Sequence, residues 1–214
     1  MAADVRYSLS LDGVLDPSTN AVSLNVTAVN PQRDGFLTVD DCNSGSTTTS
    51  SLNFGAGQKR ANNGMFTLSS DRSVCIFSSA PTHVTIDITG QFGSGDGLTF
   101  LPADPLRLLD TRETGERLAT RSSTGYTVPS PTSKDGTELQ PSAASVNLAA
   151  ARHTSNGHVT SWDCGALPDT SALNPVVGAP TANSALVELT ADGRSCLFHE
   201  SGGDLIVDLT GWWI

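Results

Sequence analysis

The stretch HVTIDITGQF, residues 83–92, decides the fold, because apolar and polar side chains alternate along it and because it occurs twice. The second copy is DLIVDLTGWW, residues 204–213. A period of two residues indicates a β-strand with one face on the core and the other in solvent. The predicted inward side chains are Val84, Ile86, Ile88 and Phe92 in the first copy, and Leu205, Val207, Leu209 and Trp213 in the second.

The alternation is part of a longer internal repeat. Residues 52–92 match residues 173–213 in step without a gap, and shorter matches precede both segments. Helical periodicity is almost absent, and short alternating runs are separated by Gly, Pro, Asn and Asp. The sequence predicts an all-β protein with two tandem antiparallel β-sandwich or barrel-like domains, 1–97 and 98–214, related by internal duplication.

The segment LPADPLRLLDTR, residues 101–112, has no counterpart before the first copy. Two interpretations fit this asymmetry. Either residues 98–120 only link the two domains, or the first domain lacks an element that the second domain has.

Four cysteines recur in pairs. Cys42 and Cys75 of the first copy match Cys164 and Cys196 of the second, which predicts one disulfide per domain. Each bridge closes a loop of about 33 residues, worth about 3–4 kcal/mol in the chain-entropy model. A metal site is the alternative, but the chain has no CxxC motif and no histidine at a recurrent offset from the cysteines. We therefore expect no metal and an oxidising location, either extracellular, on a cell surface or on a virion surface.

Composition excludes several classes of partner. The net charge of −10 opposes binding to nucleic acid and to anionic lipid, and only 16% of the residues are charged. No stretch approaches the 18 or so apolar residues of a membrane-spanning helix. The N-terminal residues MAADVRY lack the features of a signal peptide. We expect either a removed export signal or release from a cytoplasm by another route, as for phage structural proteins.

The chain also resembles a repeat found in secreted and wall-associated proteins of actinobacteria. The matching motifs are RLLDTR at 107–112, AVSLNVT at 21–27, GFLTV at 35–39, SLNF at 51–54, AGQ at 56–58 with Asn62, and the strands at 86–92 and 207–213. The second copy departs from the pattern at 148–150, after Asn147, and at 177–179. The resemblance implies an extracellular module that attaches to walls or glycans and carries no catalytic residues.

The residues themselves also predict that the protein is not an enzyme and binds no cofactor. No GxSxG motif is present, and no two of the four histidines share an aligned position. Asp87 and Asp208 supply one carboxylate per domain, whereas a glycosidase needs two in one cleft. The histidines, interpreted as surface or strand residues, are His83, His153, His158 and His199.

The candidate ligand-binding residues are Trp212, Asp208, Thr210 and Trp162. Strand alternation predicts that Trp212 lies on the polar face beside Asp208 and Thr210, where an indole ring can stack on a sugar or anchor a protein. The alternative is that Trp212 packs against the other domain or under a loop. Trp162 aligns with Asp40, which favours exposure, but alternation places it on the side of Cys164, near the disulfide.

These observations predict a non-enzymatic extracellular surface-binding or adhesion module that recognises cell-wall or other glycan. The alternative function is a structural or assembly protein on a particle surface, such as a phage tail or capsid-decoration component or a filament subunit. The partners predicted are a glycan or a surface protein, and a homo-oligomer or a neighbour in a virion or filament.

Overall fold

The computed structural model describes residues 1–43, 49–113, 115 and 117–214, and this described part contains β-strands but no helix. Thr114 and Glu116, which belong to the predicted linking segment 98–120, lie outside the described residues. The chain divides into two compact units, Met1–Gly97 (unit 1) and Leu98–Ile214 (unit 2). The predicted all-β class, with antiparallel sandwich-like domains, is confirmed.

Unit 1 contains seven strands in its described part. They are β1 (Val5–Ser10), β2 (Thr19–Val29), β3 (Gly35–Asp40), β4 (Leu52–Phe54), β5 (Arg60–Thr67), β6 (Ser73–Ser78) and β7 (His83–Gly93). They form one sheet in the order β1-β6-β3-β4 and a second in the order β5-β2-β7.

Unit 2 also contains seven strands in its described part. They are β8 (Phe100–Asp110), β9 (Ser122–Thr127), β10 (Ala143–Ala151), β11 (Val159–Trp162), β12 (Thr181–Glu188), β13 (Arg194–His199) and β14 (Asp204–Trp213). One sheet has the order β11-β13-β9 and the other has the order β12-β10-β14-β8.

The segment LPADPLRLLDTR, residues 101–112, for which the sequence allowed two interpretations, lies largely in strand β8. β8 pairs antiparallel with β14 along the edge of the unit 2 sheet, from Trp213↔Phe100 to Ile206↔Asp110. In unit 1 the strand equivalent to β14 is β7, and within the described residues β7 pairs with β2 alone. The first domain therefore lacks, in the described part of the chain, an element that the second domain has.

Each unit has its own apolar core. In unit 1, Leu24 of β2 lies in one buried cluster with Leu37 and Val74 of the other sheet. In unit 2, Leu148 and Leu209 lie in a separate cluster with side chains of the β11-β13-β9 sheet. A fully buried side chain of this size contributes about 1.5–3 kcal/mol, so alternating apolar residues hold each pair of sheets together.

Both predicted disulfides are confirmed. Cys42 bonds to Cys75 and Cys164 bonds to Cys196. The first cysteine of each pair comes after a strand and adopts a left-handed conformation, with φ of 67° for Cys42 and 65° for Cys164. Asx-type hydrogen bonds support both turns: Oδ1 of Asp40 accepts from the amide of Cys42 at 2.8 Å, and Oδ1 of Asp163 accepts from the amide of Gly165 at 3.1 Å.

Candidate functional site

Three of the four predicted ligand-binding residues, Asp208, Thr210 and Trp212, lie on β14. The fourth, Trp162, ends β11 in the other sheet of unit 2. The structure therefore gathers three of them on one strand and places the fourth on a different sheet.

Asp208 is held by the RLLDTR motif. Nε of Arg107 donates to the Asp208 carboxylate, and Nη1 of Arg107 donates to Asp110 at 2.6 Å. Arg112 donates to both oxygens of Asp110, at 2.8 Å and 2.6 Å. The hydrogen bond from Arg112 is the main cause that lowers the pKa of Asp110 to about 2, although burial opposes it. The Thr111 hydroxyl accepts from the amide of Leu205 at 3.0 Å. The motif therefore fastens β8 to β14.

Thr210 is the extra residue of a β-bulge. The register of β14 against β10 shifts between Val146↔Leu209 and Ser145↔Gly211, which leaves Thr210 without an opposite residue. Its hydroxyl donates to the carbonyl of Ser145 at 3.0 Å.

The predicted orientation of the two terminal tryptophans was wrong because of the bulge. An inserted residue reverses the alternation after it, so Trp212, and not Trp213, packs against the buried cluster of unit 2. The indole N–H of Trp212 donates to the carbonyl of Pro129 at 2.8 Å. Trp213 instead contacts Phe100, with ring centroids 5.0 Å apart, and donates to the Ser145 hydroxyl at 3.0 Å. Trp212 thus packs under the loop that contains Pro129, which is part of the alternative left open for it.

Trp162 contacts the turn that carries the disulfide. Its indole N–H donates to the carbonyl of Gly165 at 3.0 Å, and its Cα is opposite Cys196 in the ladder between β11 and β13. The ring is half-buried. The polar groups of all four predicted residues therefore make hydrogen bonds within unit 2.

The equivalent strands β7 and β14 differ sharply in exposure, and the alternation in the sequence did not predict this difference. Leu209 of β14 is fully buried at 0%, whereas Ile88, at the same position of β7, is 39% exposed. Leu205 and Val207 are also fully buried, but their equivalents in β7, Val84 and Ile86, are only partly buried. The strand with a neighbour on both sides buries its apolar face, and the strand with one neighbour does not.

β7 and β8, which form corresponding edges of the two equivalent sheets, also differ in proline content. β8, the outer strand in unit 2, contains Pro102 and Pro105, which cannot donate to a further strand. β7 contains no proline over its 11 residues. An edge strand without proline can template the addition of another strand through its main chain.

A buried polar cluster was also missed. His199, Ser201 and Asp204 are buried in unit 2, and Nε of Arg152 donates to Asp204. Burial is the main cause that lowers the pKa of His199 to about 4, and the charges of His153 and His158 add to it. His199, Ser201 and Asp204 are close together in the sequence, but Arg152 lies 52 residues before Asp204, so no local pattern signals their ion pair. In the described part of the chain, no group of histidine, cysteine and acidic residues has the arrangement of a metal site.

No family model matches the chain, and no curated protein matches it. Among solved structures the chain is similar to the crystal structure of the STIV MCP, a viral major capsid protein, with 11% identity and a TM-score of 0.26. The alignment covers 100% of this chain and 93% of that one. A similarity at this score carries no argument about fold or function, and the resemblance to the actinobacterial repeat stays a prediction. Among the described residues, no helix has the length and hydropathy needed to cross a bilayer.

Proposed function

We propose that this protein is a non-enzymatic structural or assembly component of an extracellular or particle surface, and that it joins a neighbour through the edge of β7. The observation that carries the proposal is the contrast between two copies of one strand. β14 is covered by β8 and buries Leu209 fully, whereas β7 leaves Ile88 39% exposed at the equivalent position. Addition of a strand to such an edge is a common mode of protein association.

Three further features support this proposal. Two disulfides favour an oxidising environment, as expected outside a cytoplasm. The duplicated architecture offers repeated contact surfaces, and repeats of this kind seldom form one reaction centre. The low content of charged residues, 16%, suits a protein whose surface makes extended contacts with neighbours.

The proposal is tested by measuring the mass in solution of the native protein, purified from its own source without denaturation, and comparing it with the mass of one chain. We expect light scattering to give a mass above that of a single chain. Ile88→Lys places a charge on the β7 edge, and the recombinant variant should fail to enter the complex. Met65→Lys is the matched control, because Met65 is 67% exposed on β5, at the opposite edge of the same sheet. A native protein with the mass of one chain at every concentration would contradict the proposal.

Glycan recognition is the second candidate function, and it rests on Trp212, Asp208, Thr210 and Trp162 as predicted from the sequence. Trp212→Ala and Trp162→Ala should each weaken retention on purified actinobacterial walls several-fold. Because Trp212 packs against the core of unit 2, its truncation also lowers stability. Retention must therefore be compared at a temperature at which both variants are folded. Unchanged retention of both variants would remove this candidate.

A further inference from the structure

We propose that the edge of β7 accepts one antiparallel strand with the chemistry of β8, donated by a separate polypeptide. This inference rests on the proposed function and names the partner's chemistry. The donated strand would carry a leucine, an arginine, two further leucines and an acidic residue in succession, with an aromatic residue seven positions before the arginine. Unit 2 supplies the template, since it shows the same type of strand with such a neighbour in place.

The ladder between β14 and β8 gives the register. Val207 pairs with Leu109, Leu209 pairs with Leu106, and Trp213 pairs with Phe100. The equivalent residues of β7 are Ile86, Ile88 and Phe92. The donated leucines equivalent to Leu109 and Leu106 would therefore lie opposite Ile86 and Ile88, and would cover apolar surface that unit 1 leaves partly exposed.

Charge complementarity selects the arginine. Arg107 pairs with Asp208 in the ladder and donates to its carboxylate. Asp87 holds the position of Asp208 in β7 and is also half-buried. A guanidinium donates through several N–H groups, so it can bind a carboxylate that already has another partner. A donated arginine opposite Asp87 would reproduce the ion pair of unit 2.

A glycine admits the aromatic ring. In unit 2 the ring of Phe100 lies so close to Gly211 that an added Cβ would be 2.4 Å from Cε2 of the ring. The residue at this position of β7 is Gly90, after the same type of bulge. Both strands thus keep a residue without a side chain where the incoming aromatic ring has to lie.

The donor is not β8 of a second folded copy. Moving β8 from β14 to another chain's β7 would expose Leu205, Val207 and Leu209, which are fully buried. The exchange forms contacts of the same kind as those that it breaks, so it gains little free energy. A strand that has no partner in its own chain breaks no contacts when it binds, so the full free energy of pairing with β7 favours the complex.

The test uses the full chain and a fluorescent peptide with the sequence of residues 99–112, TFLPADPLRLLDTR. The tethered β8 holds β14 at high effective concentration, so the peptide meets β7 as the vacant edge. We expect saturable binding by fluorescence anisotropy. We also expect slower hydrogen exchange in β7, His83–Gly93, and unchanged exchange in β14.

A charge swap tests the register. Asp87→Arg should weaken peptide binding about tenfold, and a peptide with aspartate in place of Arg107 should restore it. Asp96→Arg makes the same change in charge at an exposed position outside the strands and should bind the original peptide normally. Circular dichroism checks that both variants are folded. If Asp87→Arg proves unfolded, the swapped peptide is tested against the unaltered chain, where aspartate opposite Asp87 should bind about tenfold more weakly.

Several outcomes overturn the inference. They are the absence of binding at millimolar peptide, protection of β14 in place of β7, equal binding of both peptides to every variant, and a dimer of the chain that excludes the peptide. If the native complex depends on Ile88 while the peptide does not bind, the proposed function stands and the inference about the strand fails.

Discussion

Leu209 and Ile88 hold the same position of the duplicated strand, so truncating each to alanine tests whether β8 causes the difference in burial. Leu209 is 0% exposed, and truncating a fully buried leucine costs about 3–4 kcal/mol. Ile88 is 39% exposed and loses less buried surface, so we expect a cost of about 1–2 kcal/mol. The expected difference is about 2 kcal/mol in the free energy of unfolding.

Two probes resolve the units in denaturant unfolding. All three tryptophans, Trp162, Trp212 and Trp213, belong to unit 2, so tryptophan fluorescence follows unit 2 alone. Far-UV circular dichroism follows both units. Leu209→Ala should lower the midpoint of the fluorescence transition. Ile88→Ala should leave that midpoint unchanged and lower only the remaining circular dichroism transition.

Leu24→Ala is the control for unit 1. Leu24 is 0% exposed on the central strand β2, so its truncation should cost about as much as that of Leu209. This variant shows how much unfolding free energy unit 1 loses when a fully buried side chain is truncated. If Ile88→Ala proved as costly as Leu24→Ala and Leu209→Ala, β7 would be buried without a fourth strand, and the reasoning about its edge would be refuted.

Three further changes probe unit 1 and unit 2 separately. Replacing Cys42 and Cys75 by serine opens the 33-residue loop and should lower the stability of unit 1 by about 3–4 kcal/mol, seen by circular dichroism with unchanged fluorescence. The pKa of His199 is about 4 in the folded chain and about 6.5 when unfolded, so protonation favours unfolding as pH falls through this window. Fluorescence-monitored urea unfolding should show that unit 2 loses about 1–3 kcal/mol of unfolding free energy between these pH values. His199→Gln should remove most of this loss. If stability falls with pH as steeply in the variant, His199 is not the cause. Trp212→Phe keeps a ring but loses the hydrogen bond to Pro129, and the same assay with the remaining tryptophans should show a cost of about 1 kcal/mol.

The sequence predicted those features that recur at fixed spacing. The strand class follows from local alternation in β7 and β14, and the two disulfides follow from cysteine pairs that were duplicated together. β8 was ambiguous because LPADPLRLLD has two prolines and adjacent leucines in place of alternation. Its strand character comes from pairing with β14, about a hundred residues later in the chain, which no local pattern contains.

The orientation of Trp212 was missed for a different reason. The predicted orientation assumes a regular strand through Thr210, but the bulge there reverses the faces of the last residues. A signal was present, since a glycine follows the threonine inside both strands, at Gly90 and Gly211, and glycine within a strand often marks a bulge. Counting the period on each side of that glycine separately would have placed Trp212 against the core.

The prolines of β8 limit what strand addition at β7 can build. A donated strand with the chemistry of β8 brings prolines at the positions of Pro102 and Pro105 to the new outer edge. That edge lacks donors where a further strand would pair, so growth of the sheet stops after one addition. A donor without these prolines would leave a free edge and permit continued stacking, as in aggregating β-proteins. The side chains that fit β7 therefore do not close the sheet by themselves; the two prolines of a β8-like donor do, and they limit each chain to one neighbour at this edge.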